Sequence, residues 1–351
     1  MRSPALLLLL LFLTASLCLA QKPSTPSPDP QETIKVDTNL VSVPVLITDR
    51  SGKYVGGLNQ SNFTLFQDGR QVRIEFFATE EEPLKVAILL DSSMSTIPIL
   101  GDIKHAARDF VKRLGKADVA TVVSFDHEVK SIASLTSDHK ALEKAIDSIK
   151  SANSTGTVMR EAVNSIIAGQ FKNLKGRKAI IVLTDGQDRG SGISEDDLLD
   201  ISAESDTVIY PIFFFNVPPV LARTAPAPRI GRMGIPGRGG MMGPRFPRPD
   251  RERQQEARRQ QRRNRMERRF GNVIEYLQEL AGASGGRFYR AESTDLKKAF
   301  GDIAEELRHQ YRLGFYPPEE KERGTLHQLN VRLDRIDLVV RSRRQYALPR
   351  P

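Results

Sequence analysis

The sequence has 351 residues, room for two domains at roughly 100–200 residues each. It carries 52 basic and 43 acidic side chains for a formal net charge of +9, but fifteen arginines against four acids fall between Pro218 and Phe270. With that stretch and Arg2 set aside, the rest of the chain is slightly acidic, so this is not a basic protein but one carrying a basic arm. An apolar share of 39% excludes wholesale disorder, and one cysteine excludes a disulfide framework or a thiolate zinc cluster.

Residues 1–20 read as a secretory signal: Arg2, an apolar run Ala5–Leu13, then Cys18-Leu19-Ala20 before the expected cleavage. The run is shorter than the roughly 20 apolar residues of a permanent span. Bulky Leu17 stands where a lipoprotein signal needs a small residue, which disfavours acylation of Cys18. No later segment is apolar enough to cross a membrane. The expectation is an exported protein, periplasmic or extracellular.

Residues 21–33 form a Pro/Ser-rich linker. Within 34–82, strand patterns appear at Asn39–Thr48, Asn62–Phe66 and Val72–Phe77, separated by turn sequences at Asp49–Gly52 and Asp68-Gly69. These strands are too few to close a core. Three more patterns, Tyr311–Tyr316, Leu326–Leu333 and Leu338–Tyr346, lie in 311–351. Both chain ends are therefore expected to build one β-sandwich around an inserted domain.

The insertion alternates buried strands with helices. Apolar runs Leu84–Leu90, Val119–Phe125, Ala179–Leu183 and Val208–Phe215 are interleaved with helical patterns at Ile99–Leu114, Lys140–Ile149, Val158–Phe171 and Ser194–Ser202. A further short strand pattern covers Val129–Leu135. Helix Val273–Ala281, strand Arg287–Ala291 and helix Leu296–Tyr311 complete it. This predicts an α/β, doubly wound, mostly parallel sheet of Rossmann-like type, in two parts, 83–216 and 271–310, with 217–270 as a disordered Arg/Pro/Gly-rich insert. Working groups in such sheets collect at the carboxyl ends of the strands.

Three motifs fall at those ends: Asp91-Ser92-Ser93-Met94-Ser95, Thr155-Gly156-Thr157 and Thr184-Asp185-Gly186. Asp91 or Ser95 alone would be an ordinary helix cap, and Thr184-Asp185-Gly186 alone an ordinary turn. Together they make an oxygen-only donor set without His or Cys, suited to a hard divalent ion: Mg²⁺, with Mn²⁺ or Ca²⁺ as alternatives.

In these motifs the sequence resembles the von Willebrand factor type A domain family, over about Leu84–Gln310 without the arm. The resemblance implies a metal-ion-dependent adhesion site (MIDAS) in which Ser93, Ser95 and Thr157 coordinate the ion directly. Asp91 and Asp185 would act largely through water. A partner's Asp or Glu would complete the metal shell. Thr155, where the family usually has Gly, is a departure. Asn39–Val43, Phe63–Gly69 and Tyr311–Tyr316 further resemble the acidobacterial-type VWFA-related secreted bacterial proteins.

No other motif assembles chemistry. The five histidines are scattered, and no nucleophile elbow, Walker loop or dinucleotide fingerprint follows a strand. Asp126 and His127 read as a solvated turn. The arm leaves the last long strand at the rim expected to hold Asp91 and Asp185. Arg223, Arg229, Arg258, Arg259, Arg262 and Arg263 are its candidate partner-binding residues, drawing acidic ligands or an anionic envelope component. Export argues against intracellular nucleic acid. The sequence therefore predicts a non-enzymatic, metal-dependent protein-binding module; an envelope scaffold without metal gating is the alternative.

Overall fold

The computed structural model describes residues 40–79, 82–152, 156–214, 270–291, 295–317 and 324–348. The signal segment, the linker, Thr155 and the arginine-rich insert with its six candidate arginines lie outside the described residues. Among the described residues no helix is long and apolar enough to cross a membrane.

The central sheet follows from strands whose two faces are both apolar. In β5 (Leu84–Asp91), Val86, Ile88 and Leu90 enter one core while Ala87 and Leu89 enter the opposite one. In β8 (Arg177–Thr184), Ala179, Ile181 and Leu183 alternate with Ile180 and Val182 in the same way. With β6 (Val119–Phe125), β7 (Val129–Thr136), β9 (Thr207–Phe214) and β10 (Tyr289–Ala291), the sheet order is β10-β9-β8-β5-β6-β7. Only β7 runs antiparallel, and it closes one edge.

Helices cover both faces. Helices α1 (Leu100–Val111), α2 (His139–Ser148) and α6 (Leu296–Arg308) bury Ile103, Phe110, Leu142, Ile146, Phe300 and Leu307 on one side. On the other, α3 (Met159–Asn164), α4 (Glu195–Glu204) and α5 (270–284) bury Met159, Val163, Leu198 and Leu277. Helix α3 passes directly into a π-helical turn at Ser165–Gln170. Truncating a residue such as Leu89 in so closed a layer costs about 2–5 kcal/mol.

Both chain ends do form a sandwich. One sheet has the order β13-β1-β11-β4 and the other β14-β12-β2-β3, from β1 (Val41–Asp49), β2 (Phe63–Gln67), β3 (Arg70–Val72), β4 (Phe76–Ala78), β11 (Gln310–Phe315), β12 (Leu326–Leu333), β13 (Leu338–Ser342) and β14 (Gln345–Ala347). Its core joins Val43, Val45 and Leu65 to Leu313, Phe315 and Tyr346. Two expected single strands are each broken in two. Val72–Phe77 bends at buried Ile74, and Leu338–Tyr346 bends at buried Arg343, and each passes from one sheet to the other. Alternation alone does not reveal such corners, because each half keeps its own period.

Two arginines, Arg343 buried and Arg341 half-buried, tie the sandwich to the α/β unit. Arg343 donates to the carbonyls of Ser42 at 3.3 Å, Ser205 at 3.1 Å and Gln345 at 3.0 Å, and to that of Ala203. It thereby satisfies orphan carbonyls at the end of α4 from a sandwich corner. Arg341 pairs with the wholly buried Glu306 of α6.

Candidate metal centre

The parallel register of β5 and β8 puts Leu90 opposite Leu183, so Asp91 and Thr184 end the two strands side by side. Asp91 is fully buried. Its Oδ1 accepts from the Ser93 N–H at 2.9 Å and the Ser93 hydroxyl at 2.5 Å. The Thr184 hydroxyl donates to Oδ2 at 3.4 Å, and the Asp185 N–H donates to the same carboxylate. Ser93 opens the 3-10 turn Met94–Ile99 but makes no side-chain cap bond. Its hydroxyl turns instead toward Asp91 and lies 2.9 Å from the Ser95 hydroxyl. Asp91 ends its strand and Ser95 lies inside the 3-10 turn, so neither is the turn's N-cap.

Thr157 comes from the segment just before α3. The Val158 N–H donates to the Asp126 carbonyl at 2.8 Å, while the Thr157 carbonyl accepts from Arg189 and Gly190 at 3.1 and 3.2 Å. That carbonyl links the segment before α3 to the loop after β8. The same loop holds Asp185, whose carboxylate accepts from the Gln187 N–H at 3.0 Å and its side-chain amide at 3.3 Å. Gly186 has φ +79°, and a Cβ there would lie 2.3 Å from Val273 Cγ1, so the turn admits glycine alone.

Ser93, Met94, Ser95, Gly156, Thr157, Gln187 and Arg189 line one cleft of about 360 Å³. Asp91 and Asp185 adjoin it, hydrogen-bonded to the lining residues Ser93 and Gln187. The structure thus gathers Asp91, Ser93, Ser95, Thr157 and Asp185, separated by up to 94 positions in sequence, at one rim. The carboxyl end of β9 lies at the same edge, where the described chain stops short of the arm.

Burial first, and the neighbouring Asp185 charge second, push the Asp91 carboxyl up to about 7, against the Ser93 hydrogen bonds. Among the described residues neither acid has an ion-pair partner. Two adjacent buried carboxylates without a counter-charge, beside three hydroxyls, are a donor set that fits a hard divalent cation.

Asp126 corrects the sequence reading. It is not part of a solvated turn but buried, and its carboxylate engages Lys130 Nζ at 3.1 Å, the Glu128 N–H at 3.1 Å and the Ser92 hydroxyl at 3.4 Å. Asp126, His127 and Glu128 bring one potential ligand atom each within 4.8 Å of one another. Asp126 is already engaged in fixing the turn. Sequence reasoning also missed Met94, Gln187 and Arg189 as cleft walls. Their only signal was proximity to a motif at a strand's carboxyl end.

Sheet order and the acid-and-hydroxyl rim define a doubly wound α/β domain with a polar cleft at its carboxyl edge. Residues 86–187 match the family model described as von Willebrand factor type A domain, a stretch containing all five gathered positions. The α/β unit has the fold of that family.

Among solved structures, BatB from Bacteroides thetaiotaomicron is 20% identical, covering 64% of this chain and 97% of its own, with TM-score 0.41. Proximal thread matrix protein 1 from the mussel byssus, in a form whose MIDAS motif is occupied by zinc, is 16% identical over 69% of this chain and 50% of its own, with TM-score 0.46. The vWF domain of the pilus tip protein Mfa5 from Porphyromonas gingivalis is 18% identical over 64% and 94%, with TM-score 0.37. No curated protein matches the sequence.

Proposed function

We propose that this protein is an exported binding module whose cleft holds a divalent cation, Mg²⁺ foremost, and captures an acidic side chain of a protein partner. The observation that carries this reading is the pair of buried, uncompensated acids, Asp91 and Asp185, beside the hydroxyls of Ser93, Ser95 and Thr157. The three hydroxyls would face the ion, and the two carboxylates would orient its water. The bound ion would supply an electrophilic position for a carboxylate. Binding rather than catalysis is favoured because hydroxyls, a thioether, an amide and a guanidinium line the cleft, with no histidine or thiol among the described lining residues. The flanking sequence segments Asn39–Val43, Phe63–Gly69 and Tyr311–Tyr316 support a relation to the acidobacterial-type VWFA-related proteins. The arginine-rich insert, through Arg223, Arg229, Arg258, Arg259, Arg262 and Arg263, would raise the local concentration of acidic partners.

A terminally blocked hexapeptide with one Asp among Gly, Ala and Ser tests this reading. Binding in Mg²⁺ and loss of binding in chelator are expected. Equal binding under both conditions would favour a scaffold without metal gating.

A further inference from the structure

We infer that Arg189 is a second anchor in the cleft, which selects a partner segment bearing two acidic side chains rather than one. This rests on the reading above, in which the metal takes the first carboxylate.

Two basic groups meet at the loop after β8 in different circumstances. Arg160, at the start of α3, is committed to structure. Its Nε donates to the Ile193 carbonyl at 2.6 Å, and its guanidinium lies 3.6 Å from both Asp188 and Glu195. Asp188 in turn accepts from the Arg160 N–H at 2.9 Å, the Ser191 N–H at 3.2 Å and the Ser191 hydroxyl at 2.9 Å. Arg189 follows directly. Its backbone is pinned to the Thr157 carbonyl, yet its side chain is exposed, lines the cleft and has no ion-pair partner among the described residues. A braced backbone presenting an uncommitted guanidinium beside the proposed metal position is pre-organised for a carboxylate, which the planar fork can take bidentately.

The other walls complete the specification. Gln187 donates its amide to Asp185, which fixes the group and leaves its carbonyl oxygen to accept a partner's backbone N–H. Met94 is 47% exposed and Ile97, on the same 3-10 turn, 54%. They offer an adaptable apolar contact for a side chain flanking the acids. The occupant is therefore an extended acidic peptide segment: one carboxylate toward the hydroxyls, one on Arg189, and an apolar neighbour over Met94.

The test compares, on the full chain in Mg²⁺, the single-Asp hexapeptide with variants carrying a second Asp one, two or three residues on. Calorimetric competition measures affinity, and thermal unfolding checks each protein variant. The best two-acid peptide should bind about fivefold tighter, the upper range for an exposed ion pair. Arg189→Gln should bring that ratio to about one, with the unfolding temperature unchanged. A ratio near one in the wild type, or a ratio preserved in Arg189→Gln, overturns the inference and leaves the metal reading standing. If neither peptide binds in a Mg²⁺-dependent way, both fall together.

Discussion

The Asp185 N–H donates to the buried Asp91 carboxylate while the Asp185 side-chain charge repels it. The end of the central sheet therefore holds an electrostatic conflict within a satisfied hydrogen-bond frame. That conflict disfavours charge on Asp91 in the metal-free protein and would be relieved by a cation.

Replacing Asp91 by Asn should therefore stabilise the metal-free protein while abolishing divalent binding. Folding raises the Asp91 pKa from 3.8 to about 7, so the folded chain holds a proton that the unfolded chain has lost between those values. Metal-free stability contributed by this group consequently falls as pH rises from about 4 to about 7. Denaturation in chelator should show Asp91→Asn more stable by about 1–2 kcal/mol at pH 8, with the gain fading at pH 5. A less stable variant at pH 8 would contradict the charge conflict.

Gly186→Ala combines a left-handed backbone with a Cβ pressed against Val273 and Phe213. A loss of about 2–4 kcal/mol is expected from strain plus overpacking. Denaturant unfolding measures it, and a loss below about 0.5 kcal/mol, the range of an ordinary surface change, would show that the turn relaxes freely.

Arg343→Ala should cost about 3–5 kcal/mol, since it strips four carbonyls of their donor at the junction between sandwich and α/β unit. Arg343→Lys, with fewer donors and no planar fork, should recover only part of that stability. Chemical denaturation of the two variants checks the order.

Asp188→Ala should loosen the loop after β8 without unfolding the domain, because this carboxylate braces Ser191 and Arg160. Hydrogen exchange should quicken selectively at the Arg189 and Gly190 amides, which bond to the Thr157 carbonyl. Unchanged protection there would remove the brace from the account.

Much of this was legible in the chain. Leu84–Leu90 and Ala179–Leu183 are apolar on both faces, which only a covered, mostly parallel sheet satisfies. Asp91 follows the first run directly and Asp185 follows the second after Thr184, so strand order alone brings them to one edge. What escaped the sequence depends on side-chain partners distant in the chain. Asp126 looked solvated because Ser92, its buried neighbour, lies 34 positions away. The corners at Ile74 and Arg343 were hidden because a strand changing sheets keeps its alternation. Arg189 could not be told from Arg160 until the hydrogen bonds showed which was already committed.

The most direct test of the central claim is a calorimetric titration of Mg²⁺ into the wild-type chain and Asp185→Ala. Saturable binding at one site in the wild type, lost in the variant, is the predicted result. Heats that are the same in both proteins would contradict a metal centre built on Asp91 and Asp185.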